Sequence, residues 1–181
     1  EASKKVRSLT LNDSLVVQAE GTAYSSSKVA LQPRMTAYSE GFFTVWEDLA
    51  GDPDLFDEEW IRGSYVSSAN EIQSTGSVQS NTGSANWPSP AWSGTALSVA
   101  YYQYRSFGSQ IYFTRVVPSG AESMERVDED DFQVTAVSGN AKFPALAYTH
   151  TDSTGEHYGL TWSDTHTGTE QVYFRRLTCK P

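Results

Sequence analysis

The chain has 181 residues, 19% of them charged and 13% aromatic, with 13 glycines and a formal net charge of -9 at pH 7. That length allows one domain with a real core and excludes two ordinary ones. The acidic balance repels phosphate backbones and makes nucleic acid and anionic membrane poor partners, and no apolar run approaches the roughly 20 residues of a membrane-spanning helix.

In chain order the segments read as short strands joined by turns. Residues 8–21, SLTLNDSLVVQAEG, look like the tail of a preceding structural unit. PRMTAYSEGFFTVWED, from Pro33, runs into a strand ending in Val45-Trp46 and then into the acidic loop EDLAGDPDLFDEE, after which residues 60–65 read as another strand. PSPAWSGTALSVAYYQYRSFGSQIYFTRV, from Pro88, predicts a strand through Val99-Ala100-Tyr101, a turn at Gly108 and a strand over 110–116. SMERVDEDDFQVTAVSG supplies a further strand near 132–137. PALAYTHTDSTGEHYGLTWSDTHTGTEQVYFRRL, from Pro144, repeats the plan with a hairpin extension, a strand through Leu160-Thr161-Trp162, a turn at Gly168 and a last strand.

These segments are copies of one another. Each opens on proline, reaches an aromatic (Tyr38, Trp92, Tyr148) and enters a strand ending in a second aromatic. Trp46 to Tyr101 is 55 residues and Tyr101 to Trp162 is 61, the extra length lying in THTDSTGEHY. A period of that size, holding about four alternating strands, fits a propeller blade better than a helical repeat. The expected fold is all-β: a β-propeller segment of three to four four-stranded blades, one domain over 1–181. Its units are 31–87, 88–143 and 144–181, with 1–30 as the end of an earlier blade. Propellers usually close with about 4–8 blades. The ring is therefore expected to be completed by a second copy of the chain, by another polypeptide or by a missing part.

The order proline, aromatic, V-x-W, acidic or Gly turn, then I-Y-F-x-R (Ile111 to Arg115, varied as Val172 to Arg176) resembles repeats of secreted bacterial β-propeller proteins. These are loosely related in shape to TolB-like and sialidase-like propellers. The resemblance implies an exported, ring-shaped scaffold with loops on two faces. Glu1 is preceded by neither methionine nor leader, so an export signal is expected to have been removed or to lie outside this sequence. The implied location is secreted or periplasmic. Cys179 is the single cysteine, which excludes an internal disulfide.

Three groups of residues could carry function. Rings with a polar tip suit sugar stacking and peptide contacts, which marks Trp87, Trp92, Tyr102 and Tyr104, with Arg105, as a ligand surface. Period-two geometry puts Tyr102 and Tyr104 on one strand face and Tyr101 on the other. Crowded carboxylates in the acidic loop, Asp52, Asp54, Asp57 and Glu58, could cage Ca²⁺, although the spacing is not that of an EF-hand and the same acids suit a capped helical turn. In THTDSTGEHY, a turn at Ser153-Thr154 would set His150 opposite His157, close enough at Cβ to share one metal ion. Asp164 and Gly168 read as turn formers, and Arg115 and Arg176 as bonds between neighbouring units.

No Gly-x-Ser-x-Gly, no His-Glu-x-x-His and no phosphate loop occurs. The expected function is therefore an exported recognition module binding a carbohydrate or protein partner through its loops. Two other readings stand beside it: a glycosidase- or sialidase-like enzyme, and a structural half of a larger assembly.

Overall fold

Alternation of apolar and small polar residues gives, in the computed structural model, antiparallel strands and no helix among the described residues. Those residues are 5–11, 17–25, 29–38, 41–49, 59–80, 83–106, 108–119, 123–136 and 138–180. Strands β1 (Lys5–Leu11) and β2 (Val17–Ser25) form a hairpin. A first sheet has the order β3 (Val29–Tyr38), β4 (Gly41–Leu49), β5 (Glu59–Ser67), β6 (Ile72–Ser77). A second joins β7 (Ala85–Trp92), β8 (Leu97–Arg105) and β9 (Gly108–Pro118), whose far edge takes both β10 (Met124–Arg126) and β11 (Phe132–Gln133). A third contains β12 (Lys142–Asp152), β13 (Gly155–Asp164) and β14 (Gln171–Cys179). The all-β expectation holds, and none of these sheets closes on itself.

The first strand of each sheet carries the same irregularity. Register shifts fall between Leu31 and Arg34, between Asn86 and Ser89, and between Lys142 and Ala145. Inside each shift sits a proline, and the residue before it takes a left-handed backbone: Gln32 (φ 49°), Trp87 (φ 58°) and Phe143 (φ 55°). Side chains of this size rarely adopt that region, and proline pushes its predecessor towards extended backbone, so each bulge is held by its surroundings. Counted from the bulges, Arg34 pairs with Val45, Ser89 with Ala100 and Ala145 with Thr161. Trp46, Tyr101 and Trp162 therefore occupy equivalent places.

This register fixes which residues meet between sheets. The first strands β3, β7 and β12 lie against one another in sequence order. Phe43, Val45 and Ile61 of the first sheet bury themselves against Leu97, Val99, Tyr101, Tyr112 and Val116 of the second. On its other face the second sheet presents Ala100, Ile111 and Phe113, which pack on Tyr158, Leu160, Trp162 and Leu177 of the third. Ile61 and Ile111 are equivalent, as are Leu97 with Tyr158, Val99 with Leu160 and Val116 with Leu177. The two interfaces thus reuse one pattern. Each large side chain taken fully out of water there contributes about 1.5–3 kcal/mol before entropy is counted.

The strand expected near 132–137 is shorter, only Phe132–Gln133. Beyond it the Val134 amide still donates to the Ile111 carbonyl (2.8 Å), but the Ile111 amide donates to the Thr135 hydroxyl (2.9 Å) instead of a backbone oxygen. At the equivalent place in the first sheet the Ile61 amide donates to the Gln79 side chain (2.8 Å). A side chain thus ends the ladder in both sheets. Gly108 and Gly168 occupy the predicted turns with φ 113° and 87°, values that favour glycine.

Candidate functional site

The bulges set the geometry of the first candidate site. Because β7 and β12 are adjacent and share one irregularity, Trp87 and Phe143 project side by side, their rings edge to face with centroids 4.8 Å apart. Tyr102 adjoins Phe143 at 6.2 Å and Tyr104 at 5.5 Å, so four rings form one continuous cluster, although Tyr102 itself is buried and lies beneath the surface rings. Phe143 is 45% and Tyr104 49% exposed. Two cations lie over the patch: Arg34 above Trp87 (5.5 Å) and Lys142 above Tyr102 (5.8 Å) and Tyr104 (5.2 Å). The Trp87 amide, freed from the ladder by the bulge, donates to the Glu47 carboxylate of the first sheet (2.6 Å). That bond pins the bulge.

Of the five residues marked for ligand binding in the sequence, Trp87, Tyr102 and Tyr104 come together. Trp92 packs instead with Tyr38 (4.4 Å) and Phe43 (5.5 Å) between the first and second sheets. Arg105 points to the other strand face, where its Nε donates to the Tyr112 hydroxyl (3.0 Å). The patch also holds Phe143, Arg34 and Lys142, which the sequence reading missed. The signal was present: aligned on the repeat proline, Phe143 is the counterpart of Trp87.

The second candidate lies at the β12–β13 hairpin tip. The strands pair as the spacing predicts, Asp152 with Gly155, Thr151 with Glu156 and His150 with His157. The two imidazoles stack, centroids 4.4 Å apart and planes 13° from parallel. Asp152 joins them, with an oxygen 3.0 Å from His157 Nε2 and the other 3.6 Å from His150 Nε2. The Thr154 amide (2.7 Å) and hydroxyl (2.6 Å) donate to Asp152 Oδ1 in a local turn. Those bonds first, and His157 second, hold the exposed Asp152 carboxyl well below the usual range. His166 lies apart, beside Tyr173 and Asp164. The acidic-loop candidates Asp52, Asp54, Asp57 and Glu58 lie outside the described residues.

A buried ionic network joins the second and third sheets. Arg115, 7% exposed, donates from Nε and Nη2 to Asp128 (2.9 and 2.7 Å) and from Nη1 to Glu156 (3.2 Å). Glu156 also accepts from Ser93 (2.6 Å), Thr95 and the Tyr158 hydroxyl (2.8 Å). Burial alone would raise the Glu156 carboxyl, but these hydrogen bonds together bring it below its ordinary value. The Asp128 bonds, foremost, raise Arg115 further. Arg115 thus takes the role between units read from sequence, whereas Arg176, at the equivalent place on β14, is exposed. A cavity of about 340 Å³ opens beside the network, lined by Thr95, Ala96, Arg115, Val127, Thr151 and Glu156 among others. Cys179 belongs to β14, half-buried opposite Glu156, and burial raises its thiol.

No protein-family model matches the chain, and no curated protein or solved structure does so.

Proposed function

We propose that the chain is an arc of a β-propeller, exported to the periplasm or the cell exterior, that recognises a carbohydrate through the aromatic patch at its inner strands. The patch of Trp87, Phe143, Tyr102 and Tyr104 carries this reading. Tyr102 is buried beneath the patch and Trp87 half-buried, whereas Phe143, on left-handed backbone, and Tyr104 keep large rings in water, which costs free energy that a purely structural unit would avoid. Rings with nearby cations suit the apolar face and the acidic groups of an anionic sugar chain. Recognition is favoured over hydrolysis because the acid lining the cavity is occupied: the buried Glu156 binds Arg115, which also holds the part-exposed Asp128.

The propeller reading also assigns an occupant to the outward face of the third sheet. On that face Ala145, Ala147, Gly159, Thr161, Val172, Phe174 and Arg176 stand where the second sheet has Ser89, Ala91, Ser98, Ala100, Ile111, Phe113 and Arg115. The second-sheet set is covered by the third sheet. Its copy is open, with Val172 80% and Phe174 64% exposed. The occupant is a further sheet of this repeat, continuing the ring.

The binding claim is tested on a glycan array that includes uronate-containing oligosaccharides, followed by calorimetry of any hit. Saturable binding by the wild type is expected. Tyr104→Ala should weaken it about tenfold, or about 1.4 kcal/mol, while leaving stability within about 0.5 kcal/mol, as for other exposed positions. Absence of any glycan hit, or a hit indifferent to Tyr104→Ala and Phe143→Ala, would overturn the reading.

A further inference from the structure

We propose that His150, Asp152 and His157 form a binding site for a divalent ion of the zinc class. Three donors converge: both Nε2 atoms face the Asp152 carboxylate, and the ligand atoms all lie within 4.8 Å of one another. In a tetrahedral complex with bonds of about 2.0–2.1 Å, neighbouring ligand atoms sit about 3.3 Å apart. Asp152 Oδ1 lies 3.0 Å from His157 Nε2 and Oδ2 3.6 Å from His150 Nε2, near that spacing, and rotation of the exposed His150 ring out of its stack with His157 would bring both in-plane lone pairs onto one ion.

The surroundings match what metal-bound histidine needs. Each imidazole has its other nitrogen against a threonine hydroxyl: His150 Nδ1 lies 3.2 Å from Thr149 Oγ1, and His157 Nδ1 lies 3.2 Å from Thr178 Oγ1. Such outer partners fix ring orientation and tautomer, so that Nδ1–H donates outward and Nε2 offers its lone pair to the metal. The Thr154 turn holds Asp152 in place, and the hairpin register fixes the two histidines. Thr149 also donates to the His157 carbonyl (2.9 Å), tying both strands together at the bulge beside the site.

Ligand chemistry selects the ion. Two imidazoles and one carboxylate favour Zn²⁺, Co²⁺ or Ni²⁺ over Ca²⁺, which wants six or more oxygens. Three protein ligands leave a coordination position for water or for an anionic group of a bound molecule. The ladder places Cys179 and His157 on opposite faces of the third sheet, because Cys179 pairs with Glu156 and Thr178 with His157. The thiol is therefore not a fourth ligand.

Titration calorimetry of ZnCl₂ into the chain at neutral pH decides the matter. One ion per chain is expected, with no comparable heat from CaCl₂. His150→Gln, His157→Gln and Asp152→Asn should each weaken binding at least about tenfold, the scale known for losing even an outer-shell partner. His150 and Asp152 are exposed and His157 is partly covered at a hairpin tip, so circular dichroism should show an intact fold. His166→Gln and Cys179→Ser should bind as the wild type does. Absence of one-to-one binding, triad variants that bind normally, or loss of binding in His166→Gln or Cys179→Ser would overturn the proposal.

Discussion

Trp87 and Phe143, 56 residues apart, hold the same left-handed backbone one residue before proline, and their rings meet at 4.8 Å. A conformation this unfavourable, recurring at one point of each sheet, places side chains of successive first strands in a row. Gln32 is the third member. It is half-buried, so its backbone strain can be isolated from ring packing. Gln32→Gly should stabilise the chain or leave it unchanged, gaining up to about 1 kcal/mol, because a left-handed residue with a Cβ costs about 1–2 kcal/mol. Glycine elsewhere in a strand would do the opposite. A urea midpoint that falls clearly in Gln32→Gly would show that the bulge is not strained.

Arg115 and Arg176 form a matched pair of equivalent residues with different surroundings. Arg115→Ala should destabilise by about 3 kcal/mol, the usual cost of leaving a buried partner uncompensated, here Glu156, with the part-exposed Asp128 adding little. Arg176→Ala should change stability by less than about 0.5 kcal/mol, as expected for an exposed side chain. Equal losses in chemical denaturation would contradict the assignment of Arg115 as the tie between sheets.

Much of this was legible in the sequence because it depends on local rules. Proline spacing, glycine turns and two-residue alternation gave the strands, the copies and the His150–His157 register. Three things were not legible. The bulges were hidden because proline normally forces its predecessor away from left-handed backbone, so Phe143 was not paired with Trp87. The partners of Arg115 were hidden because Glu156 is 41 residues away and meets it only through sheet stacking. Trp92 and Arg105 were grouped with the patch by proximity in sequence, although strand alternation and the sheet interface direct them elsewhere.

Glu156 should impose a pH dependence of known sign. Its carboxyl is held below the ordinary glutamate value, so the fold favours the charged form over the unfolded chain. That contribution is complete above the unfolded value of about 4.3 and is lost as pH falls through the lower native value. Urea unfolding followed from pH 7 downward should show wild type losing more stability in acid than Glu156→Gln, which starts lower and changes less. Parallel profiles would exclude this role.

The repeated interface is tested most directly by supplying the sheet that the outward face of β12–β14 is proposed to receive. Pro118 and Cys179 are equivalent in the repeat, so a second copy of residues 119–180 fused after Cys179 would complete the third sheet and add the next. The extended chain should melt higher and in one transition, with slowed hydrogen exchange along β14. There Arg176→Ala should cost about 3 kcal/mol or more, as a newly buried ion pair requires, although it is silent in the parent. An added segment that stays unfolded, with β14 exchange unchanged and Arg176→Ala still silent, would contradict the account.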